Sequence, residues 1–353
     1  MDFTLDETQQ AVAELAATVL RSEADHARVE HVLASGPGYD ETLWKAMAQA
    51  GLLALALPES LGGEGFGAVE VAALLAEVGR QTLPTPAFAT LSLGVLPVVA
   101  LGSAEQQATL LPEVADGRVL TAALRSATAA TVRDDGAGLV VGGSFVGVPY
   151  AAQAHRILVA TTAGVLLIDP DDDGVTLTRT PTSTGAPEYS VALADVRIAD
   201  EDVLAGDTAV LERYALAGAA ALADGIIAGG LALTAAHVGT RQQFGKALAT
   251  FQAVAQQIAD VYVTARTVHL ASASANWRLA AGLDADDDLQ IAAYWLAAEL
   301  PAGLQVCHHL HGGLGVDASY PMHRFYSHAK DLARFVGGPA YRLDLIGARC
   351  SSN

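Results

Sequence analysis

The chain has 353 residues, 52% of them hydrophobic and 17% charged, which excludes a disordered class and provides for a large core. With 39 acidic against 20 basic residues the formal charge is -19, the wrong sign for binding nucleic acid or an anionic membrane. Two cysteines, Cys307 and Cys350, are too few for a disulfide framework or a thiolate zinc site.

The opening "MDFTLDETQQ" is acidic and helical, without the basic flank and apolar run of a secretory leader, so a cytoplasmic protein is expected. Apolar residues then recur at three- and four-residue steps through "FTLDETQQAVAELAATVLRSEA" and "ETLWKAMAQAGLLAL". "LPESLGGEGFG" (57–67) reads as a glycine-rich loop, and "AVEVAALLAEVGRQ" as the next helix. "AFATLSLGVLPVVALG" is apolar all round and is expected to be central. Residues 1–117 are thus expected to form an N-terminal helical bundle.

Between 118 and 207 the texture changes. "GLVVGGSFVGVPYA", "RILVATTAGVLLID", "GVTLTRT" and "YSVALADVRI" are short β-branched runs broken by Gly, Asp and Pro. They predict a middle antiparallel β barrel or sandwich of about 90 residues.

Long helical periods return over 208–239, 250–282, 285–311 and 321–333, which predicts a C-terminal four-helix bundle spanning 208–353. The expected class is therefore α+β, mainly α, with a β module between two helical bundles. "ALAGAAALADGIIAGGLALTAAHV" (215–238) is apolar enough to raise a membrane span. Its Ala/Gly content and Asp224, which would cost roughly 3 kcal/mol in a bilayer, favour a buried core helix instead. "AGLDADDDLQ" (281–290) is expected to cap the helix that follows it.

Three clusters could carry chemistry. In "TRQQFGKALATFQ" (240–252) Arg241 offers a planar five-donor fork suited to a diphosphate, and Phe244 a ring that can pack on an adenine or ribose. A helix-end arginine complementing the dipole, beside a core phenylalanine, explains the same residues. In "HHLHGGLGVD" (308–317) His308 and His311 share a helical face while His309 points elsewhere, too few ligands for zinc. Gly312, Gly313 and Gly315 let the backbone approach a phosphate, or simply stop the helix. "YPMHRFYSHAKDLARFVGGPAYRL" (320–343) is a basic amphipathic helix broken at Val336-Gly337-Gly338-Pro339.

Taken in order, the Arg-x-x-Phe-Gly corner, the Phe-Gln helix start, the Gly-Gly-x-Gly loop and the Tyr-Pro basic helix resemble the acyl-CoA dehydrogenase family. So do the helical–β–helical layout and the "LPESLGGEGFG" loop. The resemblance implies α,β-dehydrogenation of an acyl-CoA with FAD, whose ADP half is gripped by the neighbouring chain. It assigns Arg241 to the pyrophosphate, places Phe244 and Gln252 near the adenosine half, and brings the Gly312-Gly313 backbone to the ADP portion. His309 stands where the family usually has glutamine. No metal site is implied.

The departures from the family pattern concern the reacting end. The family's base is a glutamate in a Tyr-Glu-Gly-Thr stretch, which this chain matches with Phe335-Val336-Gly337-Gly338. A second subgroup places that glutamate 26 positions before the corner arginine, where this chain has Ala215. A hydrocarbon cannot replace a general base, whose contribution is about 10²–10⁴-fold. The Thr-Glu-Pro-x-Ala-Gly-Ser-Asp stretch is matched by "AALRSATAATV" (122–132), and the Trp-Ile-Thr strand, aligned on Gly143, by Gly147-Val148-Pro149.

This pattern resembles the base-less smaller subunit of heteromeric α2β2 acyl-CoA dehydrogenases, some of which oxidise CoA-activated sterol side chains. The resemblance implies no catalytic residue in this chain, FAD shared with a catalytic partner subunit, and an acyl-CoA substrate reached through the complex. It also brings in electron-transferring flavoprotein as an electron acceptor. Two alternatives stay open: a self-sufficient dehydrogenase with Asp224 as a relocated base, and a fold member with other or no flavin chemistry.

Overall fold

The computed structural model describes residues 3–23, 26–35, 38–136 and 138–351, so Met1 and Asp2 of the acidic opening lie outside the described residues. The early helices are α1 (Glu7–Ser22), α2 (His26–Ser35), α3 (Glu41–Gln49) and α4 (Ala68–Gln81). A π-helical stretch, Phe88–Val95, then runs into α5 (Leu96–Leu101), and α6 (Ala104–Leu110) and α7 (Pro112–Ala115) follow. Strands β1 (Val119–Ala123), β2 (Arg125–Asp134), β3 (Leu139–Pro149), β4 (Ala154–Thr161) and β5 (Gly164–Ile168) come next, with β6 (Val175–Thr180), β7 (Glu188–Ile198) and β8 (Val203–Leu204). Beyond them lie α8 (Ala209–Thr240), a ribbon of β9 (Gln242–Gln243) and β10 (Lys246–Ala247), α9 (Gln252–Ala280), α10 (Asp286–His311), α11 (Met322–Phe335) and α12 (Pro339–Ser351).

Packing groups these elements into two compact units. One comprises residues 32–71 and 84–215, and the other residues 1–31, 72–83 and 216–353.

In the first unit the strands form two four-stranded sheets, ordered β1-β4-β5-β8 and β2-β3-β7-β6. Ile157, Val159, Leu166 and Ile168 from one sheet share a buried core with Val141, Phe145, Val148 and Val191 from the other, the arrangement of a sandwich. One pair departs from the antiparallel expectation: β1 runs parallel to β4. Such a pair needs a crossover, and β2 and β3 supply it by forming the edge of the second sheet between them. All five residues of β1 are buried because the π-helical stretch packs against it, and a Cβ on Gly94 would meet the Leu120 Cβ at 2.2 Å. The apolar run expected to be central is so, with every residue from Ala89 to Val95 buried.

The second unit holds the long helices. Its first helix, α1, begins with a reciprocal capping box: Asp6 accepts from the Gln9 N–H at 2.8 Å, and the Gln9 side chain accepts from the Asp6 N–H at 3.1 Å. Helix α8 is long and apolar enough to cross a membrane by length and composition, yet 67% of its most apolar window is buried inside the protein. Its small residues have a packing role. A Cβ added to Gly225 would lie 1.8 Å from the Ala76 carbonyl oxygen, and one on Gly229 would lie 2.4 Å from that of Arg80. From the other side, a Cβ on Gly79 would meet the Leu222 carbonyl oxygen at 2.3 Å. The α4 and α8 backbones therefore touch along a glycine seam, closer than side-chain ridges would allow. Gly225→Ala should destabilise the fold by about 3 kcal/mol, because a backbone must shift to admit the methyl. A fall in melting temperature well beyond that of an exposed Gly→Ala control, such as Gly239→Ala, is the check.

Two features of this unit go beyond the sequence expectation. The acidic turn caps α10 from one residue further out than the N-cap itself: Ala285 is the N-cap, the Asp284 carboxylate accepts from the Asp286 N–H at 3.0 Å, and Asp286, Asp287 and Asp288 fill the first turn, where they favour the positive end of the helix dipole. Arg349 of α12 meets two of them, at 2.6 Å from Asp287 and 3.6 Å from Asp286. The second feature is α12 itself. The break at Val336-Gly337-Gly338 is real, with φ of +97° and +83° at the glycines, but Pro339 opens a new helix, a position that suits its fixed φ and missing N–H.

Candidate functional site

The end of α8 carries the first cluster. Beyond Arg241 the chain folds into the β9–β10 ribbon, with Gln243 paired to Lys246 and Gln242 to Ala247 across a two-residue turn. That turn is Phe244-Gly245, both at positive φ (+53° and +78°), the backbone signature of a primed hairpin turn. Phe244 is 92% exposed at its tip, so it is not the core phenylalanine of the alternative reading. The ribbon closes where the Leu248 N–H donates to the Arg241 carbonyl at 2.9 Å, and α9 starts at Gln252 without a side-chain cap.

This corner therefore gathers Arg241, Phe244 and Gln252, all exposed. It also gathers Phe251 of the Phe-Gln helix start and Lys246, which the sequence did not single out. Phe251 meets Phe244 edge-on at 6.3 Å, and the Lys246 Nζ lies 4.2 Å over the Phe251 ring. Among the described residues no acid pairs with the Arg241 guanidinium. On a chain of charge -19 an exposed, unpaired arginine and lysine beside the open N-terminus of α9 form a locally positive spot, the charge an anion would need.

The end of α10 carries the second cluster. The helix stops at Gly312 (φ +59°, ψ -137°), and a 3-10 turn, Gly312–Val316, leads on. Added Cβ atoms on Gly312 and Gly313 would meet nothing within 4 Å, so the bare backbone of both faces open space. His309 is exposed beside them, whereas His311 is buried. The His311 Nδ1–H donates to the Cys307 carbonyl at 2.8 Å, and its Nε2 accepts from the Tyr320 hydroxyl at 3.1 Å. His237, four residues before Arg241, stacks on His311 with 4.5 Å between ring centroids. That stack brings the arginine corner and the glycine turn to one end of the unit. No group of acids, histidines and cysteines able to hold a metal occurs among the described residues.

Three of the histidines here, His237, His308 and His311, are held below the usual imidazole value. Burial lowers His237, with His311 and Arg241 adding to the effect, and burial also lowers His308 and His311. On α11 burial pushes His328 down to about 4. A histidine depressed in the folded state leaves stability unchanged above its unfolded value, and stability falls as pH drops from about 6.5 toward the folded value. This end of the unit is thus built for neutral pH.

Where a carboxylate base is expected from the resemblance, the structure has hydrocarbon. Val336 closes α11 with 1% of its surface exposed, and the buried Arg342 donates to its carbonyl. Ala215 is a buried residue of α8. Asp224 is no lone acid: it accepts from the His269 Nδ1 at 2.9 Å, and that bond raises the His269 pKa. The candidate relocated base is held in a hydrogen bond between α8 and α9.

In the sandwich unit the stretch 122–132 forms the end of β1 and most of the bulged edge strand β2. A cleft of about 650 Å³ opens beside it, lined by Leu124, Ser126, Phe145, Thr161, Asp207 and Thr208 among others. No arginine, lysine or tryptophan lines it, and Asp207 is occupied by Arg213 at 2.7 Å. Gly147 turns at φ +70°, Val148 is sunk in the core, and the Pro149 carbonyl accepts from the Thr121 hydroxyl at 2.7 Å. Among the described residues hydroxyls and methyls dominate this cleft; its one aromatic, Phe145, is sunk in the sandwich core with 3% of its surface exposed, and no cation lines it to neutralise a phosphate.

Comparison with known proteins bears on the family. Residues 6–118 match the family described as acyl-CoA dehydrogenase, N-terminal domain, and residues 205–350 match its C-terminal domain. The chain is 48% identical to acyl-CoA dehydrogenase FadE28 of Mycobacterium tuberculosis (strain ATCC 25618 / H37Rv), covering 99% of each chain. It is 32% identical to acyl-CoA dehydrogenase FadE27 of the same organism, covering 98% of each. Among solved structures, the ChsE4-ChsE5 complex from Mycobacterium tuberculosis matches with a TM-score of 0.94 at 30% identity, over 100% of both chains. A Tcur3481-Tcur3483 steroid ACAD variant matches with a TM-score of 0.92 at 33% identity, over 99% of this chain and 100% of that one.

Proposed function

This chain belongs to the acyl-CoA dehydrogenase family, and from that premise we propose that it is the cofactor-completing subunit of a heteromeric, FAD-dependent acyl-CoA dehydrogenase. It lacks the catalytic glutamate and completes the ADP half of the FAD site of a catalytic partner, in an α2β2 assembly. The observation that carries this reading is the asymmetry between the two ends. The unpaired Arg241 and the bare Gly312-Gly313 backbone suit a diphosphate, while buried Val336 and Ala215 stand at the base positions. The ADP half of FAD fits the residues present; its ring half does not fit the cleft beside β2.

Arg241 would hold the pyrophosphate with its fork, with Lys246 adding charge nearby. Phe244 and Gln252 would meet the adenosine half. The Gly312-Gly313 backbone and His309 would line the ADP portion. Bound FAD supplies the electron acceptor, and proton removal falls to the partner's base. This chain also offers the partner a surface: Tyr262, Val263 and Leu270 are exposed along one face of α9, at spacings that align on a helix. Arg266 lies among them, and no acid among the described residues pairs with it. The heteromeric complex and the steroid ACAD among the solved relatives support a partner subunit and a steroid side-chain CoA as substrate. Electron-transferring flavoprotein is the proposed acceptor for the reduced complex, and the cytoplasm the proposed compartment.

The visible absorption spectrum of the chain purified alone, with and without added FAD, tests this reading. A folded chain without a flavin band is the expected result, with the band appearing on co-expression with a partner that carries a Tyr-Glu-Gly-Thr stretch. About one FAD per isolated chain would establish a complete site and overturn it.

A further inference from the structure

We propose that His311 is a positioning residue that clamps the two halves of the diphosphate site together, with Tyr320 as its latch and His237 as its contact to the arginine corner. The inference rests on the reading of Arg241 and the glycine turn as an FAD site, and it goes beyond it by naming what sets their spacing.

Gly312 and Gly313 have no side chains with which to hold the turn, and their backbone must still present a fixed shape to a ligand. His311, 5% exposed, holds it from below. One ring nitrogen donates back to Cys307 in the last turn of α10, and the other accepts from Tyr320, beyond the far end of the glycine turn. The ring thus bridges the segment from both sides. Gly315 rests on it so closely that a Cβ there would lie 3.2 Å from the His311 Cβ and 2.9 Å from the His308 carbonyl. The third contact is the stack on His237. The Arg241 N–H donates to the His237 carbonyl at 2.8 Å, so the ring that carries the glycine turn also touches the turn of helix that carries the arginine.

With a hydrogen on Nδ1, Nε2 accepts from Tyr320, and a second proton reverses that bond, since the hydroxyl can also accept. What the proton adds is a charge on a buried ring stacked on His237. Burial lowers His311 and its bond to the Cys307 carbonyl raises it; His311 in turn lowers His237 of α8 and His308 of α10, with Arg241 adding to the effect on His237 and His323 of α11 to that on His308, while the Tyr320 hydroxyl faces its Nε2. An imidazolium would face the other histidines and the arginine, so acid should loosen the clamp.

The test is the rate of FAD release from the assembled complex, followed by flavin fluorescence from about pH 5 to about pH 8. Four forms are compared: wild type, His311→Gln, Tyr320→Phe and Arg241→Ala. His311→Gln should release FAD about tenfold faster and Tyr320→Phe about threefold faster at neutral pH, as expected for one lost buried contact or hydrogen bond. Wild type should loosen as pH falls, and His311→Gln should lose that pH dependence, which a merely structural role would leave in place. Tyr320→Phe removes one hydroxyl and keeps the ring, so it carries the test if His311→Gln assembles poorly. If Arg241→Ala accelerates release while His311→Gln and Tyr320→Phe behave as wild type, the clamp is overturned. If Arg241→Ala also behaves as wild type, the FAD site itself is misplaced and the clamp falls with it.

Discussion

Replacing Arg241 with alanine is expected to weaken FAD binding to the assembled complex by about 10–100-fold, while the chain stays folded and still assembles. The magnitude follows from losing charge-assisted hydrogen bonds to a diphosphate, each contributing about 1.5–3 kcal/mol. The fold should tolerate the change because the Arg241 side chain is exposed and no acid among the described residues pairs with it; only its backbone closes the β9–β10 ribbon. Lysine at the same place should recover part of the affinity, since it restores charge without the fork. The measurement is flavin content per complex after dialysis, with circular dichroism as the folding control. Full occupancy in Arg241→Ala would remove this residue from the cofactor site.

Val336→Glu is expected to restore no activity to the isolated chain and to destabilise it by several kcal/mol. Val336 is 1% exposed, and an unpartnered carboxyl buried there carries a cost of about 2–7 kcal/mol even when protonated. A working base would add about 10²–10⁴-fold, but only with a flavin beside it. The cleft beside β2 offers no cation to hold that flavin, and its one aromatic, Phe145, is sunk in the sandwich core. Enoyl-CoA formation with an artificial electron acceptor is the assay, and urea denaturation the stability check. Turnover by the isolated variant would mean that this chain builds a flavin site of its own.

The legible parts of the fold were those that a single period determines. Helices α8 to α11 lie within a residue or two of their expected spans at most ends, because three- and four-residue steps persist through them. Strand β2 was not legible: "RSATAATVRD" lacks bulky β-branched alternation, and its exposed edge position and bulges remove the pattern that burial would impose. Pairing direction was also hidden, since nothing local in "VLTAA" says that its neighbour is β4 and parallel to it. Pro339 reads as a helix breaker and here begins one.

At the candidate site, residue types were visible and their partners were not. Arg241 and the glycines stand out by chemistry alone, whereas Lys246 joins them only because Phe244-Gly245 makes a two-residue hairpin. Phe-Gly is a weak signal for that turn compared with Asn-Gly. His237 and His311 are 74 positions apart, and only the packing of α8 against the end of α10 joins them. Asp224 read as a solitary acid for the same reason: its partner, His269, sits on the next helix.

The turn at Phe244 has one more consequence. A bulky aromatic at φ +53° is an expensive choice for a hairpin tip, where asparagine or glycine would fold with less strain of roughly 1 kcal/mol or more. Only the edge-on contact with Phe251 rewards that choice in the free chain, because the ring lies almost wholly in water. On the proposed reading the sequence trades stability of the lone chain for an aromatic anchor that gains most of its value when a second molecule covers it.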